Sequence, residues 1–217
     1  MKFYIMLAFF GLSASTANAQ TSGMCGDSLT WTLTGTKPDF ALTISGTGDM
    51  YNYRDNAPWR SQRSNIKSLV LHDGMTSIGD NAFVLCKGVT SVTIPNSVKT
   101  IGRAAFLFCN GLTSITIPNS VVAIGMDAFA ECSLTSVTIP SSVKTIGRYA
   151  FIMNRNITDI FVSWTTSPPE TSIFDIVVTY KSKRVTLHIP QGTLDVYRSA
   201  RRWKNFINMV EDVTNAE

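Results

Sequence analysis

From residue 66 onward, apolar and polar positions recur in one order, four times over. The copies read IKSLVLHDGMTSIGDNAFVLCKG (66–88), VTSVTIPNSVKTIGRAAFLFCNG (89–111), LTSITIPNSVVAIGMDAFAECS (112–133) and LTSVTIPSSVKTIGRYAFIMNRN (134–156). In the second copy Val89, Val92 and Ile94 alternate with Ser91 and Thr93, the period-two pattern of a half-buried strand. Pro95 ends the strand because it has no N–H to give a ladder, and Asn96 and Ser97 form a turn. Val98 and Ile101 then point inward at spacing three, and Gly102 permits a bend that a side chain would obstruct. Ala105, Phe106 and Cys109 fit the inner face of a short helical or 3₁₀ turn.

A unit of this length cannot bury its apolar face alone. Repetition at a fixed period therefore predicts a solenoid in which neighbouring coils share one core. Stacking aligns like residues, so Phe83, Phe106, Phe129 and Phe151 form one column and Ile78, Ile101, Ile124 and Ile146 another.

These residues resemble the BspA-like leucine-rich-repeat family, whose repeat is matched almost letter for letter over 89–151. The first copy departs with HDG at 72–74, and the fourth places Asn154 where the others have cysteine. The segments at 25–59 and 186–212 resemble the opening and closing segments of such proteins. The resemblance implies an α/β fold: a right-handed leucine-rich-repeat solenoid with one parallel β-sheet, a β-rich N-terminal cap and a strand-plus-helix C-terminal cap. It also implies export to the cell surface or medium of a bacterium, with adhesion or binding of host proteins as the role.

On this reading the chain divides into a signal peptide (1–19), an N-terminal β cap (20–65), four repeats (66–156) and a diverged repeat with a C-terminal cap (157–217). Lys2, the apolar run 3–12 and Ala17-Asn18-Ala19 have the order of a cleaved export signal. That run is about half the roughly 20 residues a spanning helix needs, so no membrane span is expected. Runs at 28–53 predict a hairpin or small meander, and Trp59 is expected to pack on the first coil. Residues 157–164 and 184–190 read as further strands. Thr193 is the expected N-cap of a helix carrying Leu194, Tyr197 and Ala200, with a second short helix through Trp203, Phe206 and Val210.

Cys86, Cys109 and Cys132 recur once per coil. An exported chain invites a disulfide reading, but a cysteine at a repeated inward position behaves as a small hydrophobe, and core thiols are favoured. Cys25 has no evident partner. Three in-line cysteines without a nearby histidine make a poor zinc site, so no metal and no cofactor are expected. His72 and His188 have no Cys, Asp or Glu at ligand spacing, and no catalytic motif is present, so the chain does not read as an enzyme.

Residues 20–180 carry 11 basic and 11 acidic side chains, while 181–217 carry seven and four. The C-terminal excess (KSKR at 181–184, then Arg198, Arg201, Arg202 and Lys204) reads as a solvated face more readily than as a site for anionic glycans or lipid headgroups. Nucleic acid is not an expected partner. What remains is a surface. Strand residues facing away from the core are Ser68 and Val70, Ser91 and Thr93, Ser114 and Thr116, Ser136 and Thr138, then Asp159 and Phe161. The last eight are the candidate binding residues, for a host or surface protein such as a matrix protein, or for a glycan. A spacer without ligand is the alternative.

Overall fold

The computed structural model describes residues 21–169 and 185–212. Strands β1 (Ser22–Met24), β2 (Gly26–Thr36) and β3 (Asp39–Met50) pair antiparallel, as the alternating runs at 28–53 predicted. A 3₁₀ turn at Arg60–Asn65 follows, then β4 (Ile66–Leu71) and β5 (Met75–Ile78), both parallel to β3. Each later coil contributes two short strands. They are β6 (Ser91–Thr93) and β7 (Thr100–Ile101), β8 (Ser114–Thr116) and β9 (Ala123–Ile124), and β10 (Ser136–Ile139) and β11 (Thr145–Ile146). Then come β12 (Asp159–Val162), β13 (Thr186–Pro190), helix α1 (Leu194–Ser199), a 3₁₀ turn at Trp203–Asn205 and β14 (Asn208–Asp212).

The expected parallel sheet is present, in the order β14-β13-β12-β10-β8-β6. A second parallel ladder, β3-β5-β7-β9-β11, runs along the KTIG corner and continues into the N-terminal hairpin. Its members are two to four residues long beyond β3, too short to show an alternation of their own. Gly102, Gly125 and Gly147 sit where this corner stacks most closely. A Cβ on Gly102 would lie 2.7 Å from the Asp80 amide nitrogen, and one on Gly147 would lie 2.2 Å from that of Met126. The repeated glycine is thus required by contact between coils.

The AF segment is not a helical turn. Only isolated i→i−3 bonds form, such as Leu107 N–H to Ala104 C=O and Cys109 N–H to Phe106 C=O, both at 3.2 Å. Alternate amides instead donate to the next coil: Asn81 to Arg103, Phe83 to Ala105 and Leu85 to Leu107, at 2.8–2.9 Å. The backbone reaches these partners by placing Ala104, Phe108, Asp127, Glu131, Tyr149 and Met153 at φ between 51° and 63°. Non-glycine residues seldom adopt this region, which is why the apolar spacing alone suggested a helix.

The inward positions are as expected. Phe83, Phe106, Phe129 and Phe151 are buried and stacked, with centroids 5.2–5.3 Å apart. Trp59 extends the column, stacked on Phe83 at 5.7 Å, with its indole N–H donating to Ala82 C=O at 2.8 Å. The isoleucine column is buried too. All four cysteines are free and buried. Cys109 and Cys132 donate from Sγ to the carbonyls of Phe83 and Phe106, at 3.1 and 3.2 Å.

The closing segment departs from expectation twice. Thr193 holds the N-cap position, but its hydroxyl donates to Pro190 C=O at 2.6 Å, and the Leu194 N–H is met by Glu211 Oε1 at 2.8 Å. Val210 lies in β14, parallel to β13, and not in a second helix. A pattern of three and four from Trp203 to Val210 fitted a helix, but the chain turns at Phe206 into extended backbone. The export signal expected at 1–19 and the KSKR run lie outside the described residues, as does part of the loop after Ser167.

Candidate functional site

The six-stranded sheet buries one set of alternating side chains and presents the other. Register places Ser91 opposite Ser114 and Thr93 opposite Thr116, and Thr116 opposite Thr138. Ser136 then faces Asp159, and Thr138 faces Phe161. The eight residues expected on this face are therefore brought together in two rows across four strands. Ser136, Asp159 and Phe161 are half-buried and the other five exposed. Among the described residues, the hydroxyls of Ser91, Thr93, Ser114, Thr116, Ser136 and Thr138 have no hydrogen-bond partner. One residue outside this face, Thr113, Thr135 and Thr158 instead donate to Thr90, Thr113 and Thr135 carbonyls at 3.2–3.5 Å, tying successive coils. The rows thus hold free donors and acceptors while their neighbours are spent on stacking.

Both rows run further than the repeats suggested. Asp159 pairs in register with Thr186 and then Asn208, and Phe161 with His188 and then Val210. Here the chemistry changes from hydroxyls to a charged and aromatic cluster. The His188 ring stacks on Phe161 with centroids 4.2 Å apart. Its Nε2 lies 3.0 Å from Asp159 Oδ1 and its Nδ1 lies 2.9 Å from Asp212 Oδ2. His188 has no acidic residue at ligand spacing along the chain, and the sequence reading missed this cluster because its partners are 29 and 24 residues away and adjacent only through strand register.

A neutral imidazole offers one donor and one acceptor, whereas two carboxylates both call for donors. Burial opposes charge on His188, but hydrogen bonds to Asp159 and Asp212 outweigh it and raise its pKa above the ordinary 6.5. The same bond to His188, with help from Thr158, holds the Asp159 carboxyl below its usual range. Below that raised pKa the trio is an imidazolium held between two carboxylates, and it links β12, β13 and β14. Among the described residues there is no His, Cys, Asp or Glu group arranged to hold a metal.

Elsewhere, Ser68 and Val70 lie on β4, which bonds to β3, so they stand beside the rows without joining their ladder. His72 follows β4, and its amide donates to Ile44 C=O at 3.0 Å. Arg198, Arg201, Arg202 and Lys204 are exposed around α1 and the 3₁₀ turn after it. No helix among the described residues is long and apolar enough to cross a membrane.

A family model described as a BspA type leucine-rich repeat region of six copies matches residues 76–191. Among solved structures, a leucine-rich repeat protein from Eubacterium ventriosum is 28% identical with a TM-score of 0.53, over 65% of this chain and 43% of that one. A leucine-rich repeat protein from Bacteroides ovatus is 22% identical with a TM-score of 0.49, over 76% and 46%. The chain thus spans less than half the length of either. No curated protein matches it. The match runs past the four copies read from sequence, over β12 and β13, which continue the stack with little of the repeat's lettering.

Proposed function

The chain belongs to the BspA-type leucine-rich-repeat family, and from that premise we propose that it is an exported, non-catalytic binding module that engages a host or surface macromolecule through the exposed face of its six-stranded sheet. The observation that carries this is the set of unpartnered hydroxyls in register on β6, β8 and β10, continued by Asp159 and Phe161. A rigid parallel sheet holds these groups about 4.8 Å apart from strand to strand, a spacing that suits an extended polypeptide or a glycan chain laid across the coils. Solenoid proteins commonly bind through such open faces.

Small hydroxyls supply few of the aromatic or arginine anchors that dominate tight interfaces. A single site therefore binds at about micromolar affinity, on the order of −8 kcal/mol, and gains by avidity where many copies share a surface. The order of residues 1–19 supports export, and free secretion and attachment to the cell surface both fit this reading. The test is capture of immobilised matrix proteins and of a glycan array by the purified chain. Saturable capture supports the reading; turnover of a substrate, or no capture by either set, contradicts it.

A further inference from the structure

The second ladder carries a surface that the repeat rule does not explain. Across β7, β9 and β11, Thr100 pairs with Ala123 and Ala123 with Thr145. The residues just before these strands form a column, tied by Val122 N–H to Lys99 C=O and Lys144 N–H to Val122 C=O, each at 2.8 Å. Three residues after Thr100, Ala123 and Thr145 a second column forms from Arg103, Met126 and Arg148. Both outer coils place exposed cations in both columns, and the coil between them places apolar side chains in both. Val122 is 44% and Met126 40% exposed.

This substitution does nothing for the core, because the stacked column there is Ile101, Ile124 and Ile146 and is complete without it. Two partly exposed apolar side chains are a small patch, and what sets this one apart is the ring of charged groups that frames it. The frame is positive. Asp127, half-buried beside Arg103, is the acid within it, so four cations face one carboxylate. Asp80 occupies the Arg103 position one coil earlier, its Oδ1 accepting the Arg103 N–H at 2.7 Å, and ends the patch on that side. Lys144 Nζ donates to Ser141 C=O at 2.9 Å and Arg148 lies 5.5 Å over the Tyr149 ring, so both heads sit at the rim and leave the middle open.

We propose that this face, distinct from the hydroxyl rows, docks an extended acidic segment of a partner protein that sets an apolar side chain between its carboxylates. Coils about 4.8 Å apart put the two cationic rows about 10 Å from each other. In an extended strand, residues i, i+2 and i+4 share one face and span about 13 Å, within reach of splayed lysine and arginine heads. The pattern that fits is acid, any residue, apolar, any residue, acid. Met126, unbranched and polarizable, adapts to different apolar side chains.

The probe is a fluorescein-labelled peptide of the pattern Glu-Ser-Leu-Ser-Glu, repeated twice and read by anisotropy against the full chain. The paired variant K99E with K144E weakens binding about tenfold, and added salt weakens the wild-type complex. The paired variant V122S with M126S, or a peptide with serine for each leucine, weakens it about fivefold. Both variants alter exposed side chains and keep the wild-type melting temperature. Equal binding by the leucine-free peptide, or no change in either variant, overturns the proposal. So does tighter, same-site binding of heparin or of phosphatidylglycerol vesicles, since charge alone would then account for the patch.

Discussion

Asn154 donates from Nδ2 to the carbonyl of Phe129 at 2.7 Å, in the place from which Cys132 reaches Phe106 one coil earlier. The fourth copy's departure from the cysteine pattern therefore keeps the bond between coils and adds to it. Asn154 Oδ1 accepts the Leu134 N–H at 3.2 Å, and Nδ2 also meets Phe151 C=O at 3.0 Å. An amide with both donor and acceptor satisfied is tolerated at 1% exposure, where an unpaired one would not be. Asn154→Leu, which orphans these backbone groups, is expected to cost about 3 kcal/mol in chemical denaturation, and Asn154→Cys, which keeps the Phe129 bond, about 1 kcal/mol.

The phenylalanine column is continuous, so its middle members have no slack. Phe106 lies between Phe83 and Phe129 at 5.2 and 5.3 Å. Phe106→Ala is expected to cost about 3–5 kcal/mol, measured by urea or thermal unfolding. A cost below about 1 kcal/mol would mean that the coils do not share one core.

The thiols are packing groups. Burial pushes Cys25 and Cys109 up to about 12 and raises Cys86 and Cys132 well above the ordinary range. Since the thiolate is the reactive form, thiol titration at neutral pH is expected to find little reaction in the native chain. In denaturant it is expected to find all four cysteines. Fewer free thiols after unfolding would mean a disulfide.

The clasp around His188 gives the closing strands a pH dependence of known sign. The folded pKa of His188 lies above 6.5, so its contribution is fully present below 6.5 and is lost as pH rises through the raised value. Asp159 has a lowered folded pKa, so its contribution is present above 3.8 and is lost as pH falls through the lowered value. Both act together between these limits. An NMR titration is expected to place the His188 midpoint above 6.5, and His188→Gln to remove the part of the melting-temperature decline that accompanies its deprotonation. An unshifted midpoint would leave the clasp without energetic weight.

The repeat made the solenoid legible because each inward residue recurs at one spacing. The phenylalanine and isoleucine columns, four residues each, were readable from the lettering alone. Three things were hidden. The strands of the second ladder span two residues in most coils, below the length at which alternation can be seen. The left-handed residues, among them Ala104 and Phe108, carry no local signal, since most sequences at that spacing prefer a helical turn. The His188 cluster arises from three strands far apart in sequence. Only the register of β12, β13 and β14 puts Asp159 and Asp212 on either side of one ring. The hydroxyl rows were legible as a face, whereas their extension through Thr186, Asn208 and His188 required the last two strands to be placed.

The most direct test of the binding face changes its middle row and nothing beneath it. Thr93, Thr116 and Thr138 are exposed and their hydroxyls make no hydrogen bond among the described residues, so replacing all three with lysine leaves the stacked core intact. Biolayer interferometry against whichever matrix protein or glycan the wild-type chain captures is expected to show binding lost in the triple variant, with the melting temperature within a few degrees of wild type. Undiminished binding by a folded triple variant would contradict the account and move the site off this sheet.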